Sequence, residues 1–362
     1  MPKLSCGIVG LPNVGKSTLF NALIKKQAAS ASNYPFCTID PNVGVVDVDD
    51  PRLRTLSQLS KSKKIVYAST TFVDIAGLVK GASQGEGLGN KFLTNIKETD
   101  ALLHVVRCFD DEEIIHVAGK VNPLHDIETI NLELILADLQ MAENSLDKMR
   151  RQAKGNKELQ ETVAVIEKVI LHLNQGLPAR SLKLNPEEAE KLGRLNFITA
   201  KPVIYVMNVK EGEFNNPFVK QVEAFAKTEG SDTFQICARL EEELASLSPE
   251  EALLYLAEIG MTETGLDRLI KTVFHTLGLL TYMTTGDIET RAWTIKAGST
   301  APIAAGEIHT DIQKGFIRAE VVSFDDMVTY QGRTGAKEAG KARAEGKEYI
   351  VKDGDVILFF HN

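Results

Sequence analysis

Mainly apolar stretches alternate with glycine-rich loops and helical patterns through the first 120 residues, and the alternation resumes near residue 200. Residues 6–9, 72–75, 102–106 and 203–207 form four such stretches. Short apolar runs of this kind are typical of strands buried on both faces, as in a parallel sheet covered by helices. The pattern predicts an α/β fold with a mostly parallel sheet.

A second periodicity, of three and four positions, covers much of residues 125–200. Its apolar members lie on either side of residues 155–156: Leu132, Ile135, Leu139, Ala142, Leu146 and Met149, then Val163, Ile166, Ile170, Leu173 and Leu177. Each series places a narrow apolar stripe on one helix face. The spacing predicts two antiparallel helices forming a projecting coiled-coil arm. A helix pair packed on the main core is the alternative.

The region from residue 279 onward has shorter strand candidates, at residues 292–295, 316–322 and 356–360. A glycine-rich loop at residues 332–347 separates the last two, and its basic residues are Arg333, Lys337, Lys341, Arg343 and Lys347. Short strands mixed with helical segments predict a compact α+β module.

Composition narrows the class of protein. The chain has 362 residues, enough for two or three domains, and its 43% hydrophobic and 25% charged residues are ordinary for a soluble globular protein. It has no apolar run of membrane-spanning length and no signal peptide, so we expect a cytoplasmic protein that does not bind membranes. The four cysteines are far apart and contain no C-x-x-C pair, which argues against a zinc site or a disulfide framework and fits a reducing cytoplasm.

The net charge of −8 gives no overall attraction to nucleic acid, so any such contact requires a local basic patch. Residues 145–201 contain eleven lysines and arginines against seven acidic residues. Such a run is usually a solvated helix face. The alternative is an arm that contacts phosphates.

Residues 10–17, GLPNVGKS, match the phosphate-binding loop G-x-x-x-x-G-K-[ST] between a strand and a helical sequence. The glycines let backbone N–H groups face phosphate oxygens, and the helix N-terminus adds partial positive charge. We expect Lys16 to reach the β- and γ-phosphates and Ser17 to bind Mg²⁺. The predicted nucleotide contacts of this loop are Asn13, Val14, Gly15, Lys16, Ser17 and Thr18.

A D-x-x-G motif, from Asp74 to Gly77, ends the second predicted strand. At this distance from a phosphate-binding loop, Asp74 is expected to hold Mg²⁺ through water, and the N–H of Gly77 to sense the γ-phosphate. Thr38, in the loop between the two motifs, is the third expected magnesium ligand. Residues 77–89 contain five glycines, which suits an order–disorder switch.

Four segments together resemble the YchF branch of the Obg-type GTPase family: residues 10–17, 33–42, 74–82 and 85–90. The similarity extends over the whole chain. Beyond residue 279, residues 306–312 and 351–356 resemble the TGS module found in that branch.

The resemblance implies three parts. A Ras-like P-loop domain would span residues 1–124 and 201–278, with an antiparallel coiled-coil helical arm inserted at residues 125–200. An α+β TGS domain of ubiquitin-like shape would span residues 279–362. The resemblance also implies binding to the ribosome, with rRNA and the large subunit as expected contacts, and a preference for ATP over GTP.

The base-reading motif of GTPases, N-K-x-D, is altered here to Asn208-Val209-Lys210-Glu211. Glu211 is one methylene longer than the aspartate that accepts two hydrogen bonds from guanine, and Val209 replaces the lysine that lies along the base. A site built to hydrogen-bond one base rejects another strongly, so these changes are expected to relax guanine selection.

A pocket for adenine follows from the same residues. The Asn208 amide has the donor and acceptor needed to pair with an adenine edge. Val209 would supply an apolar wall, Phe109 a second wall, and Cys237-Ala238 would complete the pocket. ATP is therefore the expected ligand, with GTP left open.

Catalysis is expected to be slow. Leu78 occupies the position where many switch GTPases carry a water-orienting Gln. Lys16 and Gly77 are then the expected catalytic groups. Asn13 is positioned to help bind a monovalent cation such as K⁺, and equal hydrolysis in potassium and sodium buffers would contradict that role. Intrinsic rates even with the Gln are on the order of 10⁻⁴ per second.

Three functions compete at this point. The first is an ATP-dependent switch and weak ATPase on the ribosome. The second is a guanine-specific translational GTPase, and the third is a ribosome-binding scaffold whose hydrolysis is incidental. A small-molecule P-loop kinase is least supported, since the sequence shows no obvious lid for an acceptor substrate.

Overall fold

The computed structural model describes residues 4–30, 42–75, 88–114 and 119–362, which contain two six-stranded sheets. The first sheet consists of β1 (Ser5–Val9), β2 (Val43–Val48), β4 (Ala68–Asp74), β5 (Ala101–Arg107), β6 (Val203–Asn208) and β7 (Asp232–Ile236). The second consists of β3 (Lys64–Val66), β8 (Leu279–Thr285), β9 (Glu289–Lys296), β10 (Phe316–Ser323), β11 (Arg343–Glu345) and β12 (Asp355–His361).

The helices fall into three groups along the chain. Those before residue 200 are α1 (Lys16–Ser30), α2 (Pro51–Ser60), α3 (Leu88–Lys97), α4 (Pro123–Gln152), α5 (Lys157–Leu173) and α6 (Pro186–Leu195). Those up to residue 278 are α7 (Pro217–Glu229), α8 (Ala238–Leu244), α9 (Pro249–Glu258) and α10 (Gly265–Thr276). The last are α11 (Ala301–Ile308), α12 (Thr310–Lys314), α13 (Phe324–Thr329) and α14 (Arg333–Glu338). None of the helices in the described ranges is both long and apolar enough to cross a membrane.

The first sheet has the strand order β2-β4-β1-β5-β6-β7, and only the edge strand β2 runs antiparallel to its neighbour. Every residue of β5 and β6 is buried, as a sheet covered on both faces requires. The predicted α/β fold with a mostly parallel sheet is confirmed. Parallel strands place the ends of β1, β4, β5, β6 and β7 along one edge, where ligands bind in such sheets.

Two apolar clusters cover the two faces of this sheet. On one face the cluster includes Leu19 and Leu23 of α1 and Leu269 of α10. On the other it includes Ile130 of α4 and Val222 of α7. Burial of one such side chain contributes about 1.5–3 kcal/mol, so these helices are held firmly against the strands that carry the site.

The long helix α4 packs in two places along its length. Its first turns belong to the cluster on the first sheet, and its later turns pack on α5 and α6 in a separate cluster. Asn122 and Asn156 cap the starts of α4 and α5 by accepting hydrogen bonds from the N–H groups of His125 and Leu159, at 3.3 and 3.2 Å. Leu132 was expected on the apolar stripe but is 53% exposed. The face of α4 that packs on the first sheet differs from the face that packs on α5 and α6, and Leu132 lies near the point where one gives way to the other.

Asp138 ties α4 to the segment that leads into β6. Its fully buried carboxylate accepts hydrogen bonds from the N–H groups of Ile198 and Thr199, at 2.9 and 2.7 Å, and from the Thr199 hydroxyl at 2.7 Å. Burial raises the pKa of Asp138, and these hydrogen bonds oppose the rise. Both oxygens of the buried Asp138 carboxylate therefore accept hydrogen bonds, which offsets the cost of burying it.

The segment between β2 and β4 joins the two sheets. Its short strand β3 pairs in parallel with β9 at the edge of the second sheet. Nearby, the Ser62 hydroxyl lies 2.7 Å from that of Thr290 and 2.5 Å from the Gly286 carbonyl oxygen, to which it donates. Sequence reasoning placed residues 64–66 with the P-loop domain, whereas their hydrogen bonds belong to the second sheet.

Arg52 makes a second connection between the two sheets. Its guanidinium donates to the carboxylate of Asp50 at 2.7–3.0 Å and to Asp353 at 2.7 Å, across the sequence interval from α2 to the start of β12. Arg54, on the same helix, pairs with Asp49, and both partners are about half exposed.

Arg52→Ala is expected to lower the free energy of unfolding by about 1–2 kcal/mol, since it removes the ionic partner that Asp50 and Asp353 share at a partly buried junction. The matched control Arg54→Ala should cost about 0.5 kcal/mol or less, because its ion pair is exposed. Urea unfolding followed by fluorescence of Trp293, the only tryptophan in the chain, measures both. Equal effects of the two variants would contradict a bridging role for Arg52.

Candidate nucleotide-binding site

The loop between β1 and α1 has a backbone that only glycine accommodates at two positions. Gly10 has φ +151° and Gly15 has φ +100°. A Cβ on Gly10 would lie 2.5 Å from the carbonyl oxygen of Val105, and one on Gly15 would collide with the side-chain nitrogen of Asn208. Both glycines of the motif are therefore required by the space around them as well as by their dihedral angles.

Lys16 begins α1 and is only 8% exposed. Its ammonium donates to the carbonyl oxygen of Leu11 at 2.5 Å, within the same loop. Burial lowers the pKa of Lys16 to about 8, and the charge of Asp74 opposes the change. The protein thus holds a desolvated cation where the motif predicts phosphate, which suits a strongly anionic ligand.

Asp74 is the last residue of β4, beside β1 in the sheet. Burial raises the pKa of its half-buried carboxyl group, and Lys16 opposes the rise. Ser17, the second residue of α1, is exposed. A hydroxyl and a carboxylate are hard oxygen ligands of the kind that Mg²⁺ takes together with phosphate and water, so these residues fit a magnesium ion.

The other predicted magnesium and γ-phosphate contacts cannot be placed in the same way. Thr38 and Gly77 lie outside the described residues, as does Leu78. Within the ranges that the structure describes, no group of three or more His, Cys, Asp or Glu residues forms a self-contained metal site. This agrees with the way proteins bind Mg²⁺ through one or two side chains and the phosphates of the substrate.

Asn208 connects the phosphate-binding loop to two other loops. Its side-chain nitrogen donates to the Val14 carbonyl oxygen at 2.9 Å, and its side-chain oxygen accepts from the Ala238 N–H at 3.0 Å. Its carbonyl oxygen accepts from the Cys108 N–H at 2.8 Å. The residue is 5% exposed, and both polar atoms of its amide are used within the protein. The predicted pairing of Asn208 with adenine stays a prediction.

A cleft of about 830 Å³ opens beside the loop. The sequence-predicted residues that line it are Asn13, Gly15, Thr18, Phe109, Asn208, Val209, Cys237 and Ala238. Six charged residues also line the cleft: Asp111, Lys210, Glu211, Arg239, Glu242 and Glu243. The structure therefore brings the N-x-x-E segment and Cys237-Ala238 to one cavity that borders the phosphate-binding loop.

Sequence reasoning missed Arg107, which shapes one wall of this cleft. The guanidinium, 1% exposed, donates to the carbonyl oxygens of Phe109, Asp111 and Ile114 at 3.0–3.1 Å. It also lies 4.8 Å from the centre of the Phe109 ring, a cation–π contact. An arginine that ends an otherwise apolar strand was the signal in the sequence, since a buried guanidinium must find several acceptors.

The charged residues that follow Asn208 are already paired. The Lys210 ammonium lies 3.3 Å from the Asp111 carboxylate, and the Glu211 carboxylate accepts a hydrogen bond from the Tyr255 hydroxyl at 3.0 Å. Neither Asp111 nor Tyr255 was expected at the site. Each belongs to a part of the chain without a recognisable motif, and only the fold brings it to the cleft.

A phosphate-binding loop after β1, an aspartate at the end of β4 and an adjoining cleft at the ends of β6 and β7 define a P-loop nucleotide-binding protein with a GTPase-type fold. Two family models agree with this class. One, described as "50S ribosome-binding GTPase", matches residues 5–137. The other, named YchF-GTPase_C and described as "Protein of unknown function (DUF933)", matches residues 279–362.

The similar proteins identify the family. The chain is 54% identical over 359 residues to "Ribosome-binding ATPase YchF" of Escherichia coli O157:H7, covering 99% of both chains. It is 50% identical over 364 residues to the Bacillus subtilis (strain 168) protein of the same name, again over 99% of each. The solved "Structure of the Schizosaccharomyces pombe YchF GTPase" matches with a TM-score of 0.88 and 38% identity, over 99% of this chain and 98% of that one. The chain belongs to the YchF family.

Binding of a polyphosphate should be linked to proton uptake by Lys16. Its pKa of about 8 in the free protein is lower than the usual value, and a bound polyanion raises it. At pH 8 binding should take up about half a proton, and affinity should fall as the pH rises further, because neutral Lys16 must first be protonated. Calorimetry with MgATP at pH 8 in two buffers of different ionisation enthalpy measures the uptake.

The same titration at pH 6.5, where Lys16 is already protonated, is the control. No uptake at pH 8 would show that the free lysine keeps an ordinary pKa, and the same non-zero uptake at both pH values would show that a group other than Lys16 takes up the protons.

Proposed function

We propose that this protein binds ATP with Mg²⁺, hydrolyses it slowly, and acts as a nucleotide-controlled switch on the ribosome in the cytoplasm. The observation that carries the proposal is the continuity of the cleft with the phosphate-binding loop. Gly15 and Thr18 border both, so a base in the cleft is within reach of phosphates bound around Lys16. The cavity volume of about 830 Å³ lies in the usual range for small-molecule sites.

The proposed roles of the chain's own groups follow from their positions. Lys16 and the loop N–H groups bind the β- and γ-phosphates, and the Gly77 N–H contacts the γ-phosphate. Ser17, Asp74 and Thr38 hold Mg²⁺, which neutralises charge on the phosphates when bound. Asn13 supports a monovalent cation. With Leu78 in place of a water-orienting Gln, these groups position the phosphates more than they activate water, so hydrolysis is slow.

Adenine is the proposed base because the guanine-reading aspartate and lysine are absent. The relatives from Escherichia coli O157:H7 and Bacillus subtilis are named ATPases, which supports this choice. The name of the Schizosaccharomyces pombe structure and the family model over residues 5–137 favour the second candidate, a guanine-specific GTPase. That model ends before Asn208 and Glu211, however, so its match does not bear on base selection.

Titration of the pure protein with MgATP and MgGTP separates the two candidates. We expect tighter binding of ATP, and a loss of about 10- to 100-fold in ATP affinity for Lys16→Ala, the size expected when a charged contact to phosphate is removed. Lys220→Ala, an exposed lysine on α7, should bind like the wild type. Tighter GTP binding would favour the second candidate, and no binding of either nucleotide at millimolar concentration would refute both.

Ribosome binding is proposed from the names of the relatives, and the family description "50S ribosome-binding GTPase" supports the large subunit. The acidic protein offers a local basic surface for rRNA at the turn between α4 and α5. We call this surface the helical tip; its exposed basic residues are Lys148, Arg151, Lys154 and Lys157. Several other basic residues of the region form ion pairs; Arg150 pairs with Glu167 and Lys168 with Glu188.

The shapes of the two non-P-loop parts are consistent with this use. We propose that α4 and α5 form a coiled-coil arm that carries the helical tip outward. We also propose that the helices and strands after residue 279 form a TGS domain of ubiquitin-like shape, which makes further ribosome contacts through the loop at residues 332–347.

Replacing Arg151, Lys154 and Lys157 together by Ala should weaken ribosome binding and make it less dependent on salt. Each lost phosphate contact is expected to lower the slope of log affinity against log salt by roughly 1. Co-sedimentation with ribosomes between about 50 and 200 mM salt measures the slope. The control replaces Arg150 and Lys168, which form ion pairs, and should leave the slope nearly unchanged. An unchanged slope in the triple variant would exclude the helical tip.

The same assay addresses the scaffold hypothesis. If Lys16→Ala binds no ATP yet associates with ribosomes as the wild type does, with and without added nucleotide, then nucleotide does not control the association. Under the switch proposal, ATP changes wild-type association and leaves the association of Lys16→Ala unchanged.

A further inference from the structure

The hydrogen bond between Tyr255 and Glu211 lies at the mouth of the base cleft. Tyr255 is on α9, where its ring packs partly buried against the apolar cluster that covers one face of the first sheet. Its hydroxyl donates to Oε1 of Glu211 at 3.0 Å, and Glu211 lines the cleft three residues after Asn208. This bond raises the pKa of the Tyr255 hydroxyl, so the tyrosine remains the donor at neutral pH.

The two purine bases make different demands on a carboxylate. Guanine presents two neighbouring N–H donors, at N1 and at its 2-amino group, which the two oxygens of one carboxylate can accept together. Adenine presents a single donor group on the corresponding edge, its 6-amino group, next to an acceptor at N1. A carboxylate whose two oxygens are free to turn toward the base therefore favours guanine, whereas a carboxylate whose orientation is fixed by another donor on one oxygen makes a weaker bidentate contact.

We propose that Tyr255 is a specificity-positioning residue, which donates to Oε1 of Glu211, fixes the orientation of the carboxylate and thereby weakens its two-oxygen contact with guanine. Oε2 remains available for a single donor such as the adenine amino group. The inference rests on the proposed nucleotide-binding function and extends it, because it assigns part of base selection to a helix outside the N-x-x-E segment.

Two neighbouring groups, Lys210 and Cys237, do not compete for the Glu211 carboxylate, and the nearby carboxylates of Glu243 and Glu258 also favour a protonated Tyr255 hydroxyl. Lys210, the cation next to Glu211 in sequence, is paired with Asp111 at 3.3 Å. Cys237, which lines the same cleft, has its thiol pKa raised mainly by burial, so it carries no negative charge at neutral pH. The Tyr255 hydroxyl is therefore the partner that the structure gives to the Glu211 carboxylate.

Tyr255→Phe removes the hydroxyl and keeps the ring that packs on the core. We expect the affinity for MgGTP relative to MgATP to rise about three- to tenfold, the effect of one solvent-accessible hydrogen bond to a carboxylate. Tyr255→Leu, which also lacks the hydroxyl, should shift the ratio in the same direction. Competition of each nucleotide against a fluorescent ATP analogue measures the ratio, and thermal unfolding confirms that the variants are folded.

A double-mutant cycle distinguishes positioning of Glu211 from a general structural effect. In a Glu211→Gln background, Tyr255→Phe should leave the GTP-to-ATP ratio unchanged, because no carboxylate remains to be released. The matched control is Tyr349→Phe. The Tyr349 hydroxyl also donates to a carboxylate, that of Asp355 at 2.7 Å, but it lies in the second sheet's domain, so its removal should not move the ratio.

The outcomes separate this inference from the proposed function. A rise in the ratio that disappears in the Glu211→Gln background supports the role of Tyr255. Wild-type nucleotide binding with an unchanged ratio in Tyr255→Phe, or an equal shift in both backgrounds, would overturn this inference alone. Failure of the wild type to bind either nucleotide would overturn the proposed function and this inference with it.

Discussion

The side-chain amide of Asn208 holds the phosphate-binding loop in the position on which the site depends. The loop's backbone at Gly10 and Gly15 lies in a region that other residues rarely adopt, so local preference alone does not secure it. The Asn208 amide supplies the missing constraint, because it donates to the Val14 carbonyl oxygen and accepts from the Ala238 N–H, across 194 and 30 positions of sequence. Because Asn208 ends the fully buried strand β6, this constraint is transmitted directly from the core of the sheet.

Around this connection the molecule concentrates groups whose charges are costly to bury. Lys16 and Asp74 are both partly desolvated, and each stabilises the charge of the other. Arg107 is buried more deeply, yet three backbone carbonyls solvate it and fix the loop that bears Phe109. The helices that cover the sheet make such a site possible, since they keep the strand ends rigid enough to hold charged groups in place without water.

The sequence was informative where the chemistry is local. The motif from Gly10 to Ser17 needs only a strand before it and a helix after it. The apolar runs that predicted the parallel sheet are also contained within a few consecutive residues. Tyr255 escaped notice because its partner is set by the fold, and no short pattern encodes a contact between residues 44 positions apart such as Glu211 and Tyr255. Arg107 bonds to carbonyl groups within seven residues of itself, and its position at the end of a mainly apolar strand was a local signal that was not read. The strand β3 was missed as a member of the second sheet because three residues, Lys64 to Val66, carry too little pattern to reveal a partner more than 220 positions away.

The first part of the chain contributes strand β3 to the second sheet. This affects whether the C-terminal part could exist as a separate protein. Homology divides the chain at residue 279, yet a fragment beginning there would lack β3 and present the full length of β9 as an open edge. Unpaired edges are templates for association with other chains, so the excised piece would be prone to self-assemble. The two parts are therefore more than modules placed side by side: β3, from the first part of the chain, pairs with the start of β9 and protects it.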